Sequence, residues 1–314
     1  MDLQLKKLQT QIDSLKLIKN PISVAWNLSC DNIDLEKENG WRGFGELFFN
    51  LPDLVFNKNA YHNQYHSAEA VLSASVLLNY EFEQIQRKLI GPFLLFSMLC
   101  HDVAHTGEHN NFNYELEQKA VNEISHYIEE NRDILIYWKK NMQDVYGPWS
   151  LFFDTIKSII LGTDFKVGPL KNSKKYKLGN YKSQLKMLAN EADILASCLS
   201  SLGPQRGALL ALEQNDSKIG TWGGRCYFLK NLALYKSVSS QRLNINLHIK
   251  NQISVIDYYG AQHLDNLVKI NGLDIVANAV ASIVDCLDNN LSTKAQDYDF
   301  LLQLNNKKDK KIIL

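Results

Sequence analysis

The sequence predicts an all-α fold, a compact bundle of many helices. Apolar residues recur three or four positions apart in segments such as 67–90, 181–202 and 273–291, which is the spacing of one helix face. Alternating runs typical of β-strands are nearly absent. Five of the six prolines lie in or beside turn-like sequence, and these turns are predicted to separate successive helices. The five are Pro52, Pro92, Pro148, Pro169 and Pro204.

The amino-acid composition argues against a nucleic-acid-binding protein, a disulfide-rich protein and an integral membrane protein. Apolar residues make up 45% of the chain, and 34 basic residues balance 34 acidic ones, so no overall field favours nucleic acid. The five cysteines form no close pair, which argues against a disulfide framework and favours a reducing, cytoplasmic setting. No stretch approaches the roughly 20 apolar residues that span a bilayer, so we expect no integral membrane association. The sequence leaves the oligomeric state open.

We expect one helical domain with subregions, because no repeat or linker-like change of composition divides the chain. Residues 1–60 are predicted to form a helical region packed on the core, and residues 61–304 form the domain that carries the motifs described next. The longest irregular stretch is predicted at 162–180. The lysine-rich end, 305–314, is predicted to be a flexible basic tail.

Histidines are concentrated between positions 62 and 109, where five of the eight occur. In YHNQYH, His62 and His66 are four residues apart and would share a face if the segment were helical, as two metal ligands or a ligand and a proton donor must. An isolated pair of this kind also occurs as surface or capping histidines. The pair alone therefore leaves both interpretations open.

A second group follows an apolar run that predicts a buried helix, where His101 and Asp102 stand side by side and His105 comes three residues later. Burying an adjacent histidine and carboxylate is costly unless they are paired or hold a cation. Imidazole is a ligand for zinc and similar metals, and a carboxylate can bridge two ions. This context favours a metal site.

Asp193 is a further acidic residue in an apolar setting, between Ala192 and Ile194. A lone aspartate of this kind also occurs as a helix cap or a hydrogen-bonded core residue. With His66, His101 and Asp102 it completes a set of four nitrogen and oxygen ligands. Such a set suits hydrolysis, because a bound ion lowers the pKa of water and two ions can clamp the attacking and leaving oxygens.

These motifs resemble a known family. YHNQYH is similar to the YHNxxH signature of class I 3′,5′-cyclic nucleotide phosphodiesterases, and HDVAHTGEHNNF to their HDxxHxGxxNxF segment. ILGTDF resembles their ATDM segment, and EADILAS the segment that supplies their last metal-binding aspartate. The four matches lie between positions 61 and 196, in the same order as in the family. The resemblance therefore implies the helical fold of the HD-domain metal-dependent phosphohydrolases.

The resemblance implies a role for each matched residue. His66, His101, Asp102 and Asp193 would bind a tightly held ion, zinc, and Asp102 would also reach a second ion, magnesium or manganese. A hydroxide between the ions would attack phosphorus, and His62 would protonate the leaving oxygen as general acid. The implied supporting residues are Glu213, which would orient His62, and His105, Asn110 and Thr163, which would hydrogen-bond ligands or water.

Two matches depart from the family. Glu130 in YIEENR resembles the glutamate of the family's LENHH segment, but Arg132 and Asp133 replace its histidines. Gln241 in SVSSQRLNI is the nearest match to the glutamine that binds the base in a Ser-Gln-x-Gly-Phe setting, but neither the glycine nor the phenylalanine follows it. These departures affect the predicted recognition of the nucleotide base more than the predicted hydrolysis.

The resemblance therefore implies a small-molecule partner and hydrolysis of cAMP or cGMP to the 5′-monophosphate. One alternative is an HD-domain phosphohydrolase that acts on another nucleotide or phosphoester, because related proteins use a similar metal core. Another is a catalytically silent nucleotide-binding module. The presence of all four ligands and the proposed acid argues against the silent module.

Overall fold

A computed structural model describes residues 2–37, 39–50, 58–167 and 180–290. Over these ranges the chain forms sixteen α-helices and one short 3₁₀ helix, and they contain no β-strand. The predicted all-α fold is therefore confirmed. Most of the predicted irregular stretch, 168–179, and the predicted tail, 305–314, lie outside the described residues.

The chain divides into two compact units. The larger unit consists of Thr10–Leu195 and Tyr235–Arg242, and the smaller unit consists of Met1–Gln9, Ala196–Leu234 and Leu243–Leu314. Residues 10–60 thus belong to the same unit as the histidine motifs. The predicted boundary after residue 60 remains a prediction.

The larger unit contains these helices: α1 (Leu3–Leu15), α2 (Pro21–Asn32), α3 (Gly40–Asn50), α4 (Gln64–Glu81), α5 (Gln84–Cys100), α6 (Glu115–Glu130), α7 (Arg132–Asn141), α8 (Gln143–Tyr146), α9 (Trp149–Ile160), the 3₁₀ helix (Leu161–Thr163), α10 (Tyr181–Cys198) and α13 (Val238–Arg242). Two of them belong to it only in part: α1 from Thr10 onward, and α10 up to Leu195.

Helix α4 is the centre of the larger unit. Its residues 66–78 are all buried, and α2, α5 and α13 pack around it. These buried positions are mostly alanine, leucine and valine, with serines at Ser67, Ser73 and Ser75. One of these, Ser75, accepts a hydrogen bond from Asn32 Nδ2 at 2.9 Å. Packing on all sides fixes the helix that begins at the histidine motif.

Aromatic side chains fill the space between α3, α5, α7 and α9. Trp41, Phe44, Phe96, Trp138 and Phe152 are almost completely buried, and the ring centroids of Trp138 and Phe152 lie 4.2 Å apart. Aromatic pairs of this kind stabilise a core beyond the area that they bury. The cluster fixes α5, which carries the second histidine motif at its end.

Pro92 does not separate two helices, so the sequence-based prediction was wrong at this position. Helix α5 runs through Pro92 from Gln84 to Cys100, although an internal proline removes one backbone hydrogen bond. The preceding Gly91 lets α5 approach its neighbours, because a Cβ there would lie 3.1 Å from Ile33 Cδ1 and 3.2 Å from Leu78 Cδ1. Burial of Leu94–Cys100 favours one continuous helix. Pro148 and Pro204 do lie at helix starts.

The smaller unit contains the remaining helices: α11 (Gly203–Glu213), α12 (Trp222–Asn231), α14 (Ile245–Tyr259), α15 (Ala261–Asn271) and α16 (Leu273–Asp288). Two polar links cross its interior. Arg225 donates to Gln252 Oε1, and Gln252 Nε2 donates to Cys198 O at 2.7 Å. His248 Nδ1 lies 2.6 Å from Asp288 Oδ2. None of the helices described combines the length and apolarity needed to cross a membrane.

Candidate active site

The four predicted metal ligands lie in three separate elements of the larger unit. Helix α4 begins directly after Asn63, whose Oδ1 accepts from Tyr65 N at 2.8 Å and His66 N at 3.4 Å, and places His66 in the first turn. Helix α5 ends at Cys100, so His101 and Asp102 follow at its carboxyl end as predicted. Asp193 lies in α10.

These side chains converge on one point. His66 Nε2 lies 2.9 Å from Asp193 Oδ1 and 3.3 Å from Asp102 Oδ2. His101 Nε2 lies 3.2 Å from each of the same two oxygens. All four side chains are largely buried, at 2–14% exposure. Two imidazoles and two carboxylates thus face each other in a nearly dry setting.

His66, His101 and Asp102 offer ligand atoms that all lie within 4.8 Å of one another, as for one metal ion, and Asp193 Oδ1 contacts both imidazoles. Donors about 2.1 Å from one ion lie about 3.0 Å apart at right angles and about 3.4 Å apart at tetrahedral angles, which matches the distances of 2.9–3.3 Å. Asp102 Oδ2 is buried and accepts no hydrogen bond from the described residues. A buried carboxylate oxygen without a donor is unfavourable unless a cation faces it.

The backbone orients one of the rings. His101 Nδ1 lies 2.7 Å from Met98 O, to which it donates. In the neutral ring this hydrogen bond leaves the lone pair on Nε2, the atom that faces Asp102 and Asp193. The carboxyl-terminal turn of α5 thus sets the direction in which His101 can bind an ion.

Charge is balanced by protons in the metal-free site. Burial alone lowers the pKa of His101, but the carboxylates of Asp102 and Asp193 outweigh burial and raise it to about 9. Burial likewise raises the pKa of Asp193, but His101 and His66 lower it well below its usual range. A bound cation competes for the same electron pairs, so metal binding is expected to release protons.

His62 lies beside this group but outside the helix. Because Asn63 caps α4, His62 and His66 do not share a helix face, yet their ring centroids are 5.6 Å apart. The ring of His62 stacks on His105, with centroids 3.8 Å apart and an interplanar angle of 20°. His105 Nδ1 accepts from Gly107 N at 2.9 Å. A buried, oriented ring thus fixes the plane of His62.

Comparison with known proteins gives one family match. Residues 61–199 match the model of the 3′,5′-cyclic nucleotide phosphodiesterase family, and this range contains all four converging side chains and His62. The chain is class I cyclic nucleotide phosphodiesterase-like. It is accordingly a hydrolytic enzyme. Comparison with curated proteins gave no match.

Among solved structures, one similar chain is the phosphodiesterase domain of the RhoPDE fusion protein from the choanoflagellate Salpingoeca rosetta. The identity is 14% and the TM-score is 0.40, over 93% of this chain and 92% of that chain.

Two predicted supporting residues of this phosphodiesterase-like chain have structural partners. Asn110 Oδ1 accepts from Leu116 N in the first turn of α6 at 2.8 Å, while its Nδ2 donates to Glu117. Thr163 is buried, and its hydroxyl donates to Ile160 O at 2.8 Å. Both residues lie in the larger unit with the four ligands.

Glu130 and Gln241 are both exposed, and their predicted roles remain predictions. Glu130 ends α6, is 59% exposed and lies 3.2 Å from His126 Nε2. Gln241 is exposed on α13, and the next residue, Arg242, donates to Tyr80 O at 2.8 Å. Tyr80 lies about 21 Å along α4 from His66, at 1.5 Å per residue. Neither residue enters the site proposed below.

Glu213 is the last residue of α11 and belongs to the smaller unit. Its proposed role beside His62 remains a prediction.

Sequence reasoning did not single out several residues that are now of interest. Asn59 Nδ2 donates to His105 O at 2.7 Å and so supports the stacked pair. Glu117 is the partner of Asn110. Gln252 is fully buried and joins Arg225 to Cys198 O inside the smaller unit. Burial could have been inferred for Gln252 from its apolar neighbours, but the hydrogen bonds of Asn59 and Glu117 depend on tertiary structure.

Proposed function

We propose that the chain hydrolyses a 3′,5′-cyclic nucleotide, cAMP or cGMP, to the 5′-monophosphate in a metal-dependent reaction. One observation carries the proposal: the Nε2 atoms of His66 and His101 each lie 2.9–3.3 Å from a carboxylate oxygen of Asp102 and one of Asp193, beside a further histidine. The family match over residues 61–199 supports the substrate class.

The same four side chains would hold a tightly bound ion, for which zinc fits the mixed nitrogen and oxygen donors. Asp102 would also reach a second ion, magnesium or manganese. Divalent ions at such a site neutralise phosphate charge and lower the pKa of water. Burial of the four ligands supports this role, because electrostatic interactions are stronger where water is excluded.

His62 would act as the general acid. As the oxygen of a hydroxide ion, formed when water loses a proton to solvent, bonds to phosphorus, the bond from phosphorus to O3′ would break, and an imidazolium at His62 would donate its proton to O3′. The stacking of His62 on His105 at 3.8 Å supports this assignment, because a proton donor must be held in one orientation. We propose that His105 positions His62.

A substrate panel tests the proposal. The purified full chain, with magnesium or manganese added, is incubated with cAMP, cGMP, a deoxynucleoside triphosphate and a nucleoside monophosphate, and the products are separated by chromatography. We expect 5′-AMP or 5′-GMP. Consumption of only a non-cyclic nucleotide would favour another HD-domain phosphohydrolase instead. Binding of a nucleotide without turnover of any would indicate a silent module.

A further inference from the structure

A buried carboxylate of α10 is bound by a segment far along the chain. Glu191 is completely buried. Its Oε1 accepts from Lys236 N at 2.6 Å and from Ser237 N at 2.8 Å, and its Oε2 accepts from the hydroxyl of Ser237. The hydroxyl of Tyr235 also donates to the backbone oxygen of Glu191, at 3.2 Å. A buried carboxylate is stable only when its oxygens are satisfied, and these contacts bind the segment to α10.

The same segment, Tyr235–Arg242, is also bound to the carboxyl end of α4, and we call it the strap. Ser239 N donates to Glu81 Oε2 at 2.9 Å, and Arg242 donates to Tyr80 O at 2.8 Å. Helix α13, which forms most of the strap, packs on α4. The strap therefore joins α4 to α10 within the larger unit. These two helices carry the first and the last of the four predicted metal ligands.

Two buried side chains hold α10 on different sides. Glu191 and Asp193 are two positions apart, which is about 200° around a helix of about 3.6 residues per turn, so the strap and the metal ligand lie on opposite sides of α10. Asn190 lies about 60° from Asp193 around the same helix. It is buried, and its Nδ2 donates to Gly162 O at 2.9 Å. The contacts of Glu191 and Asn190 together fix the rotation of α10 about its own axis.

A rotation of α10 would move Asp193 away from the two imidazoles. A side-chain atom about 5 Å from the helix axis moves by about 0.9 Å when the helix turns by about 10°. Distances between a metal and its ligands are kept within about 0.2 Å. Asp193 Oδ1 lies 2.9 Å from His66 Nε2 and 3.2 Å from His101 Nε2. A rotation of a few degrees is therefore enough to weaken a metal site made by these atoms.

We propose that Glu191 is a positioning residue for the metal site, and that it acts through Asp193 by holding α10 on the strap. This inference rests on the proposed function, because it requires that the four ligands bind an ion. The donors to Glu191 given above are neutral N–H and O–H groups. The length of the side chain and its acceptor oxygens therefore matter more than its charge. A purely structural glutamate would contribute to stability alone, whereas a positioning residue also sets the geometry around the ion.

Cobalt binding tests the assignment without relying on activity. The metal-stripped full chain is titrated with Co²⁺, whose visible absorption depends on the number and geometry of its ligands. Glu191→Gln keeps the length of the side chain and an acceptor oxygen for the two backbone N–H groups. Glu191→Asp keeps the charge but is one methylene shorter, so it cannot hold the strap at the same distance from α10. Tyr127→Phe is the control, because it removes a buried hydrogen bond, to Phe48 O, elsewhere in the same unit.

We expect Glu191→Asp to weaken Co²⁺ binding by about tenfold or more, which is the effect of removing a residue that supports a metal ligand, and to change the absorption spectrum. Glu191→Gln should bind Co²⁺ with the affinity and spectrum of the unmodified chain. Tyr127→Phe should unfold at a lower temperature and yet bind Co²⁺ as the unmodified chain does. Thermal unfolding of each metal-free variant establishes that it is folded.

Unchanged affinity and spectrum in folded Glu191→Asp would overturn the assignment, and so would an equal loss in Glu191→Gln or in Tyr127→Phe. If Glu191→Asp does not fold, Ser237→Ala decides, because it removes one donor to Glu191. It should weaken Co²⁺ binding by about threefold or more, as for the loss of one hydrogen bond, and an unchanged affinity overturns the assignment. Failure of the unmodified chain to bind Co²⁺ contradicts the metal site itself, and with it the proposed function.

Discussion

His66 Nε2 and Asp193 Oδ1 lie 2.9 Å apart, although 127 residues separate them in the sequence. The contact joins the start of α4 to the middle of α10, and both partners are largely buried. His101 and Asp102, from the end of α5, complete the group. The four side chains meet because α4, α5 and α10 are each held in place by buried residues elsewhere along the helix.

Removal of Asp193 should abolish metal binding and activity together. In Asp193→Ala, two imidazoles and one carboxylate remain, and we expect metal affinity to fall by at least about 100-fold, beyond the 10–100-fold typical of supporting residues. Elemental analysis of the purified variant measures the metal, and nucleotide hydrolysis measures activity. Asp154→Ala, at an exposed position of α9, is the control. Full metal content in Asp193→Ala would remove Asp193 from the ligand set.

Removal of His62 should separate metal binding from turnover. His62→Ala leaves the four ligands in place, so the metal content should match that of the unmodified chain. Turnover should fall by about 10²- to 10⁴-fold, which is the usual contribution of a general acid. Loss of the metal in this variant would refute the assignment of His62 as the acid.

Substitution of Gln241 should have little effect on substrate affinity. Its side chain is exposed, and its neighbour Arg242 is tied to the far end of α4. In Gln241→Ala we expect KM for the cyclic nucleotide to change by less than about twofold, as for a surface substitution. Steady-state kinetics provide the measurement. A tenfold increase in KM with an unchanged kcat would instead support Gln241 as a base-binding residue.

The pair His248 and Asp288 should make stability depend on acid pH. Burial raises the pKa of Asp288, but the hydrogen bond and charge of His248 outweigh burial and lower it to about 2. A carboxylate whose pKa is lower in the folded state stabilises the fold above its ordinary pKa, and this contribution is lost as the pH falls through about 2. Asp288→Asn should therefore lower the free energy of unfolding by about 2 kcal/mol at pH 7.

Urea unfolding at pH 7, 5 and 3 measures this difference. It should be smaller at pH 3 than at pH 5, because at pH 3 the Asp288 carboxylate is largely protonated in the unfolded chain, while in the folded chain, with a pKa of about 2, it is still charged. Asp274→Asn, at the exposed contact with Gln205, should show little change throughout. A difference of equal size at every pH would mean that the charge of Asp288 contributes nothing.

Local patterns in the sequence were sufficient to predict the helices that carry the ligands. The apolar run before His101 predicts a buried helix that ends at the histidine, and the structure confirms it. The spacing of apolar residues around Asp193 likewise predicted α10. These predictions succeed because the helical period is a local property of the chain.

Features that depend on tertiary contacts could not be predicted in this way. The turn expected at Pro92 is absent, because packing of α5 on its neighbours outweighs one lost hydrogen bond. The sequence also does not reveal that Asn63 caps α4 and leaves His62 outside the helix. Glu117 resembles any acidic residue in the first turn of a helix, and only the fold places Asn110 against it.

Turnover of a cyclic nucleotide as metal is returned to the metal-stripped chain tests the central claim most directly. The stripped chain should leave cAMP and cGMP intact. Addition of zinc with magnesium or manganese should restore release of the 5′-monophosphate of at least one of them, in proportion to the chain that has bound metal. A stripped chain that hydrolyses at the full rate, or a loaded chain that leaves both nucleotides intact, would contradict the account.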